Sequence, residues 1–176
     1  MIKINDVKYS YENSETEALR GVSISIADGE FVAIVGHNGS GKSTFSLLLA
    51  SIIRPDSGTI YLDETPINES NKQSYRSLIT AILSDFHLFT QAICDESLAS
   101  EAKIASWLEI LELSQKTQVI NGQITTTKLS TGQRKRLAML ISLLEDRDIL
   151  ILDNLIKEKR GITNISYILE DSSLFF

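Results

Sequence analysis

Cysteine, proline and tryptophan are scarce in this 176-residue chain, which holds one cysteine, two prolines and one tryptophan. A single thiol, Cys94, excludes an internal disulfide and argues against a cysteine-based metal site, so it reads as a half-buried free thiol. No apolar run approaches the ~18 residues that a membrane-spanning helix requires, and no secretory signal pattern precedes the first strand-like segment. Positive charge is also short: 17 Lys and Arg stand against 23 Asp and Glu, a net charge of −6. That balance disfavours nucleic acid as a partner through a basic face. The one basic cluster, Arg134, Lys135 and Arg136, reads as a solvated helix face. These absences imply a cytosolic chain that would meet a membrane only through a partner.

The sequence does have an ordinary globular composition, 43% hydrophobic and 23% charged, enough for one domain with a real core. "IKINDVKYSY" and "GVSISIADGEFVAIVG" alternate apolar and polar residues and predict strands, with a turn at "ADGE". "STFSLLLASII" keeps Phe45, Leu48, Leu49, Ile52 and Ile53 at helical spacing and closes at the breaker cluster "RPDSG". "TIYLDE" predicts a strand, "NKQSYRSL" a helix and "ITAILSD" a buried strand. "AKIASWLEILEL" is amphipathic, with Ile104, Trp107, Leu108 and Leu111 on one stripe, which places Trp107 in a core. "NGQITTTK" reads as a polar loop, "TGQRKRLAMLISLLED" as a strong helix and "DILILD" as a buried strand. Strands alternating with helices predict an α/β sheet with crossovers.

One segment carries chemistry. "GHNGSGKST", Gly36 to Thr44, matches G-x-x-x-x-G-K-[ST] in full, between the apolar "FVAIV", expected as a buried strand, and an amphipathic helix. Gly36, Gly39 and Gly41 allow a tight concave loop whose N–H groups face an anion, and the following helix N-terminus adds partial positive charge. Lys42 would reach β- and γ-phosphate oxygens, Ser43 would ligate Mg²⁺ and Thr44 would touch the α-phosphate. His37, Asn38 and Ser40 complete the loop; His37 and Asn38, at variable positions, are assigned no chemistry. A nucleoside triphosphate, ATP, is the expected ligand. Asp153 then has a use. An acid ending a buried apolar strand is costly unless paired, and in phosphate-loop proteins such an acid organises Mg²⁺.

The stretch "LSTGQRKRLAMLISLLEDRDILILD" resembles the signature loop, basic helix and acid-tipped strand of ATP-binding-cassette (ABC) ATPases. With "INGQITTT" and "SDFHLF" upstream, it looks most similar to exporters of cyclic peptides and peptide siderophores. The resemblance implies a phosphate-loop NTPase (RecA-like) α/β core with antiparallel strands at the N-terminus and an inserted helical subdomain. Residues 1–176 would form one nucleotide-binding domain, 1–84 and 129–176 the core and 85–128 the subdomain. It further implies a head-to-tail homodimer, in which Ser130 and Gly132 meet the γ-phosphate across the interface and Gln133 positions their loop. Tyr11, 25 residues before the phosphate loop, matches the aromatic that stacks on adenine, with Tyr9 as the alternative. Relatives of this kind carry membrane spans on the same chain, so here the spans would be lost or lie on a separate transmembrane subunit, which is expected to hold the chain peripherally at the inner face.

The pattern departs from the family at three places. The usual glutamine at the hinge into the helical subdomain is Ser84, with Asp85 beside it to take part of that role; His87 reads as a loop residue. The residue after Asp153, normally the glutamate that polarises water, is Asn154. An amide can orient water but cannot accept its proton, and loss of a general base commonly costs ~10²–10⁴ in rate. No histidine follows His87, whereas the family expects one near the γ-phosphate, and residues 154–176 are too few for the family's dimer-contact loop, helix and strand. Two readings follow: an exporter ATPase with weakened hydrolysis, or a nucleotide-binding module, regulatory or vestigial, that does not turn over.

Overall fold

The computed structural model describes residues 1–12, 14–83, 88, 101–145 and 147–153. Asp85, Asn154, Ser84, His87, Cys94 and the whole segment 154–176 lie outside the described residues. Two compact units divide the chain, one formed by Met1–Leu83 with Asp148–Asp153 and the other lying within Ser84–Arg147.

In the first unit, β1 (Ile2–Tyr9) pairs antiparallel with β2 (Leu19–Ile26) and with β3 (Ser57–Leu62), and the short β4 (Thr65–Pro66) edges the sheet, in the order β2-β1-β3-β4. The alternation along β1 shows why this register holds. Ile2 and Ile4 are buried on one face; a bulge follows at Asp6, whose φ is 46°, and it returns Val7 to the same interior. The Asp6 N–H donates to Ser23 Oγ at 2.9 Å, so the irregular residue keeps a partner.

Helix α1 (Lys42–Leu49) lays Phe45, Leu48 and Leu49 into the same core as Ile2, Ile4, Val7, Leu19 and Ile60. Burial of each such side chain contributes roughly 1.5–3 kcal/mol. The helix stops earlier than its apolar spacing predicts. Ser51 turns left-handed at φ 54°, the Ser51 N–H donates to Leu48 O and the Ile52 N–H to Leu47 O, both at 2.9 Å. Ile52 is thereby left exposed. Arg76, on α2 (Lys72–Ser77), donates from Nε to Ser51 O at 2.9 Å, and Tyr75 donates its hydroxyl to Leu49 O at 2.8 Å. The end of α1 is therefore fastened by two α2 side chains.

Strand β5 (Ile79–Ile82) pairs parallel with β8 (Ile149–Leu152), and Ile151 enters the α1 core. One expectation fails here. Residues 31–35 form no strand, and Phe31, Ile34 and Val35 are 64%, 45% and 88% exposed. A parallel strand buried on both faces needs hydrogen-bonding neighbours. Among the described residues β8 pairs only with β5, and residues 31–35 join neither strand.

The second unit holds α3 (Glu101–Ile110), the hairpin of β6 (Val119–Ile120) and β7 (Gln123–Ile124), and α4 (Thr131–Leu144). Ile104, Trp107, Leu108 and Leu111 are buried as their stripe predicts. The segment expected as a plain polar loop instead starts with a hairpin. Asn121 and Gly122, at φ 50° and 70°, supply the two left-handed positions of a primed turn, for which Asn-Gly is the favoured pair.

Candidate functional site

The phosphate loop is closed around its lysine. Lys42 Nζ donates to Gly36 O at 2.9 Å, to His37 O at 2.8 Å and to Ser40 Oγ at 3.4 Å. A turn from Ser40 N–H to His37 O at 3.3 Å shapes the loop, and His37 Nδ1 lies 2.8 Å from Asn38 O, so the imidazole is engaged locally. Helix α1 begins at Lys42 with Gly41 as its N-cap, and no side chain caps it. Its first-turn N–H groups, on Lys42, Ser43 and Thr44, have no intrahelical acceptor. An anion completes such a helix start, since the N–H groups and the macrodipole both favour negative charge there.

Gly41 is required by its surroundings. Its φ is 86°, and a Cβ would stand 2.4 Å from the Ala18 carbonyl oxygen and 2.8 Å from Leu19 Cδ2. The start of β2 therefore packs directly on the phosphate loop. A second tie lies close by: the hydroxyls of Tyr11 and Thr44 are 3.0 Å apart, with Thr44 buried and Tyr11 45% exposed. Tyr9 meets that ring edge-to-face at 5.0 Å and 88°. Tyr11 and Thr44 are 33 residues apart in sequence, and the fold brings them together. The two candidate rings are therefore neighbours. No spacing in the sequence signals that Ala18 belongs to this site.

Asp153 follows β8 directly, is buried at 7% exposure, and donates its N–H to Ile82 O at 2.8 Å. Because Ile151 shares one core with Phe45 and Leu48, the strand that carries Asp153 and the helix that carries Ser43 belong to one packed body. The residues present suit a triphosphate with a divalent cation: an uncapped helix start, an ammonium inside the loop, a hydroxyl at Ser43 and a buried carboxylate.

On the second unit, Ser130 is the N-cap of α4. Ser130 Oγ accepts from the Gln133 N–H at 3.3 Å, and Gln133 Oε1 accepts from the Ser130 N–H at 3.0 Å. This reciprocal box spends one lone pair of the Ser130 hydroxyl inside the helix and leaves its proton to be donated elsewhere. Gly132 lies in the first turn, and a Cβ there would meet nothing within 4 Å. Arg136 pairs with Glu112 at 2.7 Å, which uses one of the three basic residues in a salt bridge.

The family model described as ABC transporter matches residues 19–157. The chain belongs to the ABC transporter family. ATP-binding protein SyrD of Pseudomonas syringae pv. syringae is 36% identical over 158 residues, covering 86% of this chain and 28% of SyrD. An ATP-dependent lipid A-core flippase of Vibrio cholerae is 33% identical over 165 residues, again 86% of this chain and 28% of that protein. The chain thus spans under a third of the length of these curated relatives. Among solved structures, a bacterial Atm1-family ABC exporter with ATP bound superposes with a TM-score of 0.76 at 26% identity, covering 97% of this chain and 32% of the exporter. A dimeric ATP-binding cassette in a post-hydrolysis state with ADP and Pi gives a TM-score of 0.75 at 24% identity, over 98% of this chain and 82% of that one, a likeness of fold. The fold is that of the ABC phosphate-loop NTPases, with an antiparallel N-terminal sheet beside the α/β part. Among the described residues of this ABC protein, no helix is long and apolar enough to cross a membrane.

Proposed function

We propose that this chain is the ATP-binding module of an ABC exporter, coupling ATP binding and weakened hydrolysis to export of a peptide- or siderophore-type substrate through a separate membrane subunit. The observation that carries the reading is the phosphate loop closed on Lys42 at an uncapped helix start, on a body that also buries Asp153. Lys42 exchanges its carbonyl partners for phosphate oxygens; the N–H groups of the first α1 turn hold the same anion, and Tyr11 offers its ring to the base. Ser43 and Asp153 would hold Mg²⁺, which, when bound, neutralises charge on the β- and γ-phosphates. Ser130 and Gly132 offer a hydroxyl proton and an N–H to the nucleotide of a second copy in a head-to-tail pair. The module works at the cytoplasmic face, held there by its membrane partner.

Asn154 motivates the second reading, a module that binds without turning over. Its amide orients water but takes no proton from it, and Ser84 stands at the hinge position where the family has glutamine, with Asp85 beside it to take part of that role. Thermal denaturation with and without Mg-ATP tests the binding step: at a ligand concentration of 100 Kd the wild type gains about 2.7 kcal/mol, and Lys42→Ala gains none. A wild type that does not shift refutes the ATP site. Phosphate release at several turnovers per second would exclude the non-hydrolysing reading.

A further inference from the structure

We propose that the Tyr11 hydroxyl is a positioning group for the phosphate subsite, acting through Thr44, in addition to any role of its ring. This rests on the ATP-site reading above and deepens it. Three observations converge. The two hydroxyls are 3.0 Å apart, and Thr44 is 6% exposed while Tyr11 is half open to solvent. Thr44 lies in the first turn of α1, whose N–H groups lack a side-chain cap. The Tyr11 ring packs against the Tyr9 ring in a T-shaped pair, with centroids 5.0 Å apart. The segment that carries Tyr11 is tied down independently: the Ser14 N–H donates to Tyr11 O at 3.0 Å, the Ala18 N–H to Tyr9 O at 2.8 Å, and Ala18 O abuts Gly41.

A hydroxyl has one proton and two acceptor lone pairs. When Tyr11 O–H donates to Thr44 Oγ1, the proton of Thr44 is released from that contact and can point at an anion seated on the α1 N-terminus. The chain Tyr11 O–H to Thr44 O–H to phosphate oxygen has every donor matched, and each bond polarises the next. Without the Tyr11 hydroxyl, Thr44 has no partner to fix its rotor from that side, and its proton must be ordered when the anion arrives. The hydroxyl therefore acts on phosphate affinity, whereas the ring face acts on the base.

Inorganic tripolyphosphate, which carries phosphates and no base, separates the two roles. Binding of Mg-ATP and of Mg-tripolyphosphate is measured by calorimetry on wild type, Tyr11→Phe, Tyr11→Ala, Thr44→Val and the Tyr11→Phe/Thr44→Val double variant. Tyr11→Phe should weaken both ligands by the same factor, roughly 3–10-fold, the size of one hydrogen bond. Tyr11→Ala should lose that factor on tripolyphosphate and a further factor on ATP alone. In the double variant the Tyr11→Phe loss should vanish, because its target is gone. Equal affinity of Tyr11→Phe and wild type, a loss confined to ATP, or full additivity in the double variant overturns the inference. A wild type that binds neither ligand overturns the ATP-site reading, and this inference with it. Circular dichroism melts of each variant identify any that fail to fold, and Tyr11→Phe, which keeps the ring, then decides alone.

Discussion

Ser130 and Gln133 hold one another at the head of α4, hydroxyl to backbone N–H at 3.3 Å and amide oxygen to backbone N–H at 3.0 Å. Ser130, which the family resemblance assigns to nucleotide contact, and Gln133, which it assigns to positioning that loop, are thus also the device that starts the helix. Ser130→Ala should cost about 1 kcal/mol in urea denaturation, with Ser130→Asp close to wild type because aspartate also caps. Serine and aspartate would part company on function, since aspartate brings a negative charge where a phosphate is expected. Equal loss of stability for both substitutions would contradict the capping account.

Gly41→Ala meets a fixed obstacle. The new Cβ would fall 2.4 Å from Ala18 O, and that neighbour is backbone, which cannot rotate away. The left-handed φ of 86° adds strain of ~1–3 kcal/mol for a non-glycine residue. A lowered melting temperature and a lost ATP-dependent shift are expected together. Gly132→Ala is the contrast: its surroundings are open, so the fold should tolerate it. A Gly41→Ala protein that melts like wild type would show that β2 and the phosphate loop separate freely.

Tyr75 connects α2 to the end of α1, with its ring buried at 2% exposure and its hydroxyl on Leu49 O. Burial raises its pKa from 10.0 to about 12. The folded state therefore binds this proton more tightly than the unfolded state does, so the contribution is complete below pH 10 and disappears as pH rises towards 12. Tyr75→Phe should lower stability at neutral pH by about 1 kcal/mol and flatten the decline between pH 10 and 12. An alkaline profile identical in the two proteins would remove Tyr75 from the account.

Asn154→Glu supplies the missing carboxylate beside Asp153. Phosphate release should rise by ~10²–10⁴, the contribution usual for a general base. Unchanged turnover, with ATP binding intact, would show that the missing carboxylate is not what limits hydrolysis.

The sequence made some parts of this molecule legible and not others, for physical reasons. Helices α1 and α4 were readable because a 3.6-residue period and a terminal signal are both local: the glycine loop before Lys42, and Ser130 with Gln133 three residues on. The burial of Asp153 was readable because it directly follows the four aliphatics of β8. Residues 31–35 differ from expectation because hydrophobic content reports what a segment could bury, not whether it takes up the hydrogen bonds of a strand. The hairpin at Asn121-Gly122 was overlooked because each of its strands has only two residues, too few for any period. The Tyr11–Thr44 contact has no sequence signature at all, since it depends on β1 and α1 meeting across the fold.

The bare segment Phe31 to Val35 has a consequence for the protein's lifetime in a cell. Aliphatic and aromatic surface left open ahead of the phosphate loop is the kind of surface on which chains self-associate. The same residues that feed the nucleotide site would then set how long the molecule stays dispersed. Phe31→Ser with Val35→Thr should raise the soluble yield and slow the growth of light scattering on storage. Faster scattering in that variant would mean that the segment is covered in solution and that its apolar side chains are what keep it so.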